Sequence, residues 1–382
     1  MSFIPYGRQV IGDEDIAAVS EVLRSDWLTQ GPAVERFEQA VAQYCGAAHA
    51  VAVNSATSAL HLACLALGVG PGDLGWTTPN TFVASANCLL YCGASVDFVD
   101  IDPVTRNMDV AALESKLIRA RDAGRLPKVV IPVHFAGHPC DMAGIRRLAD
   151  AYGFKVVEDA SHAVGACYRG RPVGSCEHAD LAVFSFHPVK IMTTGEGGML
   201  LGNDAALMRR VALLRSHGIT RDPAEMEGES EGGWYYQQIG LGYNYRMTDI
   251  QAALGASQLA RVGAFVARRR ELAARYGEML ADLPLRLPAQ DRDSAWHLYV
   301  VGLAERSLRR RVYDAMRAAG IGVNVHYIPA HLQPWYRRLG FQPGDFPVAE
   351  AHYAGALTLP LYPGLSELDQ ERVVRVLRQA LT

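Results

Sequence analysis

The chain has 382 residues, 49% of them hydrophobic and 20% charged, with a formal net charge of −3 and a sequence pI near 6.5. That length predicts two domains, or one large unit with a smaller partner, and is ample for a buried core. The composition excludes a disordered or fibrous chain, and the slightly acidic balance argues against a nucleic-acid polymer as main partner, although a small anion needs only a local site.

The opening segment, MSFIPYGRQV, has no basic stretch followed by an apolar run, so no secretory leader is expected. Residues 14–25 and 32–45 read as amphipathic helices. A regular alternation follows. Strands are predicted at 50–53, 76–78, 95–100 and 129–133, with helices after them at 57–68, 82–92, 110–123 and 141–152, and a fifth strand at 155–159. Repeated βα units joined by short turns imply a mainly parallel sheet covered on both faces. Between Glu38 and Asp97 the only charged residue is Asp73, yet Asn54, Thr57 and Asn80 interrupt the stretch, so it reads as buried sheet and helix and not as a membrane span. Residues 181–186 and 198–203 look like two further strands, and the acidic, Gly-rich 222–233 like a surface loop. Long helical stretches fill 247–283. The remainder reads as a smaller α+β unit: strand 296–302, helix 306–319, strand 321–327 and a final helix from about 366, where Ser366 and Asp369 resemble a capping box. The division is placed near 250, giving units 1–250 and 251–382.

Seven cysteines, an odd number without a CxxC, point to reduced thiols and a cytoplasmic location, and no spacing suggests a metal site. The basic residues are more informative. Only four of the 37 are lysines: Lys116, Lys128, Lys155 and Lys190. Lys116 belongs to a charged helix and is expected in solvent, and Lys128 and Lys155 each open a hydrophobic strand. Lys190 differs, because between Asp180 and Glu196 it is the only charged residue, and it follows a strand and precedes the flexible TTGEGG. A lone lysine in a desolvated loop has the lowered pKa that amine nucleophiles need, while a snorkelling surface lysine would have the same local sequence.

Asp159 ends a predicted parallel strand, where such sheets bind ligands, and it could equally cap a helix. Asn54-Ser55-Ala56-Thr57-Ser58 joins a strand to a helix, which makes either an anion site or a plain N-cap. No GxxxxGK[ST], no GxSxG elbow and no glycine fingerprint after the first strand is present, which speaks against a P-loop, a serine hydrolase and a Rossmann oxidoreductase. Phe82 could stack on a planar ring or sit in the core, and His162 and His187 carry either a structural or a functional reading.

Taken together, SATSALH (55–61), TTPNTFVASAN (77–87), VHFAGHPCDM (133–142), VVEDASHAVGA (156–166), FSFHPVKIMTTGEGG (184–198), RSHGI (215–219) and GYNYRMTDIQAALG (242–255) resemble the DegT/DnrJ/EryC1/StrS family of sugar aminotransferases. The resemblance spans nearly the whole chain. It implies a fold-type-I enzyme dependent on pyridoxal 5′-phosphate (PLP), with a seven-stranded, mostly parallel sheet, a smaller C-terminal α+β domain and a homodimer with shared active sites. By motif, Lys190 would hold the cofactor covalently and move the proton, and Asp159 would pair with the pyridine nitrogen. Ala56 and Thr57 would hold the phosphate with help from Ser185, Phe82 would stack on the ring, His162 would lie near the ring hydroxyl, and Asn244 would reach the phosphate from the partner subunit. Members that dehydrate sugars have His in place of the lysine, so Lys190 favours transamination.

IPYGRQ, SDWLTQGPAVERFE (25–38), residues 76–94, VNVHYIPAH (323–331) and residues 346–367 look most like the pseudaminic-acid branch. That resemblance implies amino transfer from L-glutamate to C4 of a UDP-linked 4-keto-6-deoxy N-acetylhexosamine. Tyr6, Trp27, Thr29, Gln30, His217, Arg246 and His326 are the candidates for lining the sugar-nucleotide pocket, Arg246 because arginine binds phosphate oxygens in pairs. AWHLYVV also resembles a UDP-4-keto-pentose aminotransferase, and a GDP-perosamine-type synthase is a more distant option.

Overall fold

The structure is a computed structural model describing residues 3–382. Seven strands form the central sheet: β1 (His49–Val53), β2 (Leu74–Thr77), β3 (Ser95–Phe98), β4 (Val129–Ile131), β5 (Lys155–Asp159), β6 (Leu181–Ser185) and β7 (Gly198–Gly202). Their spatial order is β1-β7-β6-β5-β4-β2-β3. All neighbours pair in parallel except those of β7, which runs against both β1 and β6.

Alternation along each strand explains why both faces are covered. Val51, Val53, Val129, Ile131, Val183 and Leu200 join one apolar cluster, which contains Leu60 and Leu62 of the helix Ala56–Ala66 and Leu89 of the helix Ala84–Tyr91. The intervening residues turn the other way. Ala52, Ala182, Phe184, Met199 and Leu201 pack with Phe37 of the helix Pro32–Cys45, and Trp76, Val130 and Val156 pack with Leu113 and Ile145. Every residue of β6 and β7 is buried, as a central strand covered on two sides requires.

The helix Asp249–Leu259 is tied to the N-terminal segment. The buried Asp249 carboxylate accepts the N–H groups of Gly31 and Ala33, 2.8 and 2.9 Å away, and so caps Pro32–Cys45 in place of a local side chain. The long helix Val262–Met279 then passes between cores: Val262, Phe265 and Val266 pack on the large sheet's layer, while Leu272 and Tyr276 enter the C-terminal core. Ile4 from the chain's start also lies in that second core.

The C-terminal unit holds a small antiparallel sheet of β8 (Leu285–Arg286), β9 (Tyr299–Leu303) and β10 (Ala356–Leu359), with the helices Arg309–Ala318 and Glu367–Leu381 against it. Ser366 caps the latter, accepting the Asp369 N–H at 3.1 Å. The strand expected at 321–327 is not formed. Ile321 makes a single bridge to Ile4 and Asn324 one to Thr358, and β10 takes the place beside β9. Val300 and Leu298 pack against Phe135 of the large unit, so the irregular 324–328 is pressed toward the large sheet's C-terminal edge.

All seven cysteines are free thiols. Among the described residues no helix is long and apolar enough to cross a membrane, and no cluster of His, Cys, Asp or Glu could hold a metal ion.

Candidate active site

A cavity of about 610 Å³ opens where the parallel strands end. Asp159 closes β5 and Ser185 closes β6. The turn after β1 brings Ser55, Ala56 and Thr57, residues 81–85 precede and begin the next helix, and 324–328 close the cavity from the C-terminal unit. The C-terminal edge of an open α/β sheet is where such folds bind ligands, because the helices that follow point their N-termini there.

Three of the four lysines are engaged elsewhere. Lys128 lies 2.8 Å from Asp73 and Lys155 2.9 Å from Asp180. Lys116, expected in solvent, is instead mostly covered, with its ammonium 2.7 Å from Asp97 and 4.9 Å from the centre of the Trp76 ring. Its long stem is buried against the aromatic ring while Asp97 offsets the charge. Of the four lysines, Lys190 alone makes no ion pair among the described residues, and it lines the cavity. The hairpin between β6 and β7 fixes its loop: the Phe186 N–H donates to Gly197, the Thr194 N–H to Phe186 and the Lys190 N–H to His187. Burial lowers the Lys190 pKa to about 8, although the Asp159 charge works in the opposite direction.

The Asp159 carboxylate is held from two sides. Ser85 Oγ donates to Oδ2 at 2.6 Å and the Ser161 N–H to Oδ1 at 3.1 Å. Thr81 Oγ1 in turn lies 2.7 Å from Ser85 Oγ. A short polar chain therefore sets the plane of the Asp159 carboxylate where it lines the cavity.

Ser55 caps the helix Ala56–Ala66, accepting the Ser58 N–H at 3.1 Å. The N–H groups of Ala56 and Thr57 have no partner among the described residues and border the cavity, so they present positive helix-end dipoles to it. Gly198 permits this arrangement. A Cβ there would lie 2.6 Å from Ser55 C and 2.7 Å from Ala56 N, so any other residue on β7 would push the helix end away.

Phe82 stands at the cavity wall 60% exposed, an unusual position for a large apolar ring unless something flat covers it. The same cavity is lined by an aromatic group. The Ala136 N–H donates to His162 Nδ1 at 3.2 Å, and His162 Nε2 lies 3.1 Å from the Tyr327 hydroxyl. Because Nδ1 accepts, the proton sits on Nε2 and is donated to the Tyr327 oxygen. Burial and then the nearby Lys190 charge hold His162 well below the ordinary imidazole range, consistent with this neutral form. His297 lies with its ring centre 4.4 Å from that of His162, and its Nδ1 has no partner among the described residues. Gly137, at φ +94°, allows that approach, since a Cβ would lie 3.0 Å from His297 N. His326 Nδ1 lies 2.7 Å from Thr358 Oγ1, and burial together with Lys190 lowers its pKa to about 3. Tyr6 packs against it at 5.6 Å.

The cavity thus unites Tyr6, Ala56, Thr57, Phe82, Asp159, His162, Ser185, Lys190 and His326. Six other candidates lie outside it in the single chain. Trp27 is exposed, Thr29 and Gln30 lie on the exposed turn before Pro32–Cys45, where Thr29 bridges Thr248, Asn244 bridges Ser216, and Arg246 bridges Val53. His217 occupies an exposed left-handed turn at φ 62°. Ser85, His297 and Tyr327 belong to the cavity without having been singled out from the sequence. Ser85 looks like an ordinary residue of an early helical turn. Regular strand geometry would put Tyr327 and His326 on opposite faces, so only the irregular backbone brings both to the cavity.

The profile described as the DegT/DnrJ/EryC1/StrS aminotransferase family matches residues 9–378. The chain is 41% identical over 384 residues to the spore coat polysaccharide biosynthesis protein SpsC of Bacillus subtilis, covering 98% of this chain and 96% of that protein. Its fold superimposes on PseC of Helicobacter pylori, an aminotransferase involved in the biosynthesis of pseudaminic acid, with a TM-score of 0.91, 31% identity and coverage of 100% and 99% of the two chains. The PMP form of the Streptococcus pneumoniae protein Spr1654 gives a TM-score of 0.90 at 31% identity, over 99% and 98% of the chains.

Proposed function

We propose a substrate and a division of labour from one premise: the chain belongs to the DegT/DnrJ/EryC1/StrS aminotransferase family and is a PLP-dependent sugar aminotransferase of fold type I. The proposed reaction is amino transfer from L-glutamate to C4 of a UDP-linked 4-keto-6-deoxy N-acetylhexosamine. Its product is UDP-4-amino-4,6-dideoxy-N-acetyl-β-L-altrosamine, a step toward pseudaminic acid. The reading rests on the blocks at 25–38, 76–94 and 346–367, and the likeness to PseC supports it.

The observation that carries the site is Lys190, the one lysine without a counter-ion among the described residues, lowered to about 8 and facing the same cavity as a fixed carboxylate. The residues fit PLP at each end. Free helix-end N–H groups of Ala56 and Thr57 with the Ser185 hydroxyl suit its phosphate, exposed Phe82 suits its flat face, and Asp159 suits its ring nitrogen. When bound, PLP supplies an electron sink for amino transfer. Ser85 and Ser161 hold the Asp159 carboxylate in place, where it would keep the ring nitrogen protonated, and His162 would lie near the ring hydroxyl. Lys190 Nζ would hold the cofactor and, once released as a free amine, would carry the proton.

The cavity contains no arginine. A UDP diphosphate needs cations, and Arg246 lies outside the cavity in its own chain. We infer a homodimer in which Trp27, Thr29, Gln30, His217, Asn244 and Arg246 complete the opposite cavity, Asn244 at the phosphate and the others around the sugar nucleotide with Tyr6 and His326. The same reading divides the chain into units 1–250 and 251–382 and places the enzyme in the cytoplasm.

The higher identity to SpsC, 41% against 31% for PseC, favours a second reading in which the acceptor is another surface-polysaccharide sugar. A panel tests the choice: UDP-4-keto-6-deoxy-L-AltNAc, UDP-4-keto-arabinose and GDP-4-keto-6-deoxymannose, each with glutamate. Amination of the first alone supports the proposal, and turnover of another without the first refutes it.

A further inference from the structure

We propose that Tyr327 is the donor to the phenolic oxygen of PLP, and that His162 is a positioning residue behind it. The inference rests on the reading that this cavity holds PLP, and the hydrogen bonds of three residues carry it. His162 has both nitrogens committed: Nδ1 accepts from the Ala136 N–H at 3.2 Å, and Nε2 gives its proton to the Tyr327 oxygen at 3.1 Å. The imidazole therefore has no donor left for a ligand. The Tyr327 hydroxyl accepts that proton and keeps its own, which has no acceptor among the described residues. Tyr327 lines the cavity, so its O–H is the donor the group presents there. Burial, and then the Asp159 charge, push the Tyr327 phenol up, so it remains a neutral donor through the physiological range.

The position suits the cofactor's chemistry. In PLP the phenolic oxygen lies on the ring edge between the aldehyde-bearing carbon and the nitrogen side. With Lys190 at the first and Asp159 at the second, that edge is bordered by residues that feel both charges. His162 is influenced by Lys190 and Tyr327 by Asp159. Phe135 packs edge-on against the phenol, with its ring centre 6.2 Å from that of Tyr327.

The test is PLP affinity and the visible absorption of the bound cofactor for full-length wild type, Tyr327→Phe, His162→Phe and the double variant, with borohydride trapping on Lys190 as a common check. A lost bond to a charged oxygen predicts PLP binding roughly 10- to 100-fold weaker for Tyr327→Phe, with a smaller yellow band. His162→Phe loses a similar factor, and the double variant is within about twofold of the worse single variant, because one residue acts through the other. His162→Gln, whose amide can both accept from Ala136 and donate to Tyr327, keeps affinity within about threefold of wild type and decides the matter if His162→Phe does not fold. Unchanged affinity and spectrum in Tyr327→Phe with a raised KM for the sugar would overturn the proposal, as would losses that multiply in the double variant. Failure to trap PLP on wild-type Lys190 would instead overturn the cofactor reading beneath it, and the proposal with it.

Discussion

An amine that titrates at about 8 is about 24% neutral at pH 7.5, whereas an ordinary lysine at 10.5 is about 0.1% neutral, a difference of roughly 200-fold in the reactive form. Lys190 in the cofactor-free protein should therefore outpace a free N-acetyl-lysine standard in the same tube. Reductive methylation with isotopic formaldehyde, followed by peptide mass spectrometry across pH 6–11, reads its titration directly. The competition between burial and Asp159 gives a second, signed expectation. Burial lowers the amine and Asp159 raises it. Asp159→Asn removes the attractive charge and leaves the burial, so the midpoint should move further below 8. A wild-type midpoint near 10.5, or an upward shift in Asp159→Asn, would refute the argument. Few amines blur the result, because only three other lysines exist and each is ion-paired.

The same shift has a consequence for stability. The folded pKa of Lys190 lies below its unfolded value, so the charge opposes folding below about pH 8, and the penalty fades as pH rises from 8 to 10.5. Lys190→Met should stabilise the cofactor-free protein at pH 7 by roughly 2–3 kcal/mol, with the gain gone near pH 11 in urea unfolding; a gain independent of pH would contradict it. Asp249→Ala removes both acceptors of the Gly31 and Ala33 N–H groups and should cost about 1–2 kcal/mol in the same assay. Ser85→Ala deprives Asp159 of its 2.6 Å donor, so kcat should fall about tenfold or more while PLP stays trapped on Lys190. Unchanged kcat would show that Ser85 does not steer the carboxylate.

Much of the sheet was legible because periodicity and burial coincide. The alternation of Val51, Ala52 and Val53, or of Leu181, Ala182 and Val183, places neighbours on opposite apolar layers, and the βα spacing fixes parallel pairing. Lys190 stood out because charge is costly in a buried loop. The C-terminal unit was less legible. IGVNVHY has a strand-like pattern, yet its hydrogen bonds are divided between single bridges to Ile4 and Thr358, and the short Ala356–Leu359 forms the strand instead. His297 and Tyr327 reach the cavity through contacts between the two units, which no local spacing encodes. Trp27, Asn244 and Arg246 lie outside the cavity in one chain, so the roles proposed for them require the proposed second copy.

The most direct measurement is the attachment of the cofactor. Full-length protein is incubated with PLP, reduced with borohydride, digested and mapped by mass spectrometry, in parallel with Lys190→Ala. The account predicts a yellow protein carrying one pyridoxyl group on the peptide that contains Lys190, and a colourless, unmodified variant with no amino transfer. A pyridoxyl group on Lys116, Lys128 or Lys155, or a Lys190→Ala variant that stays yellow and active, would contradict it.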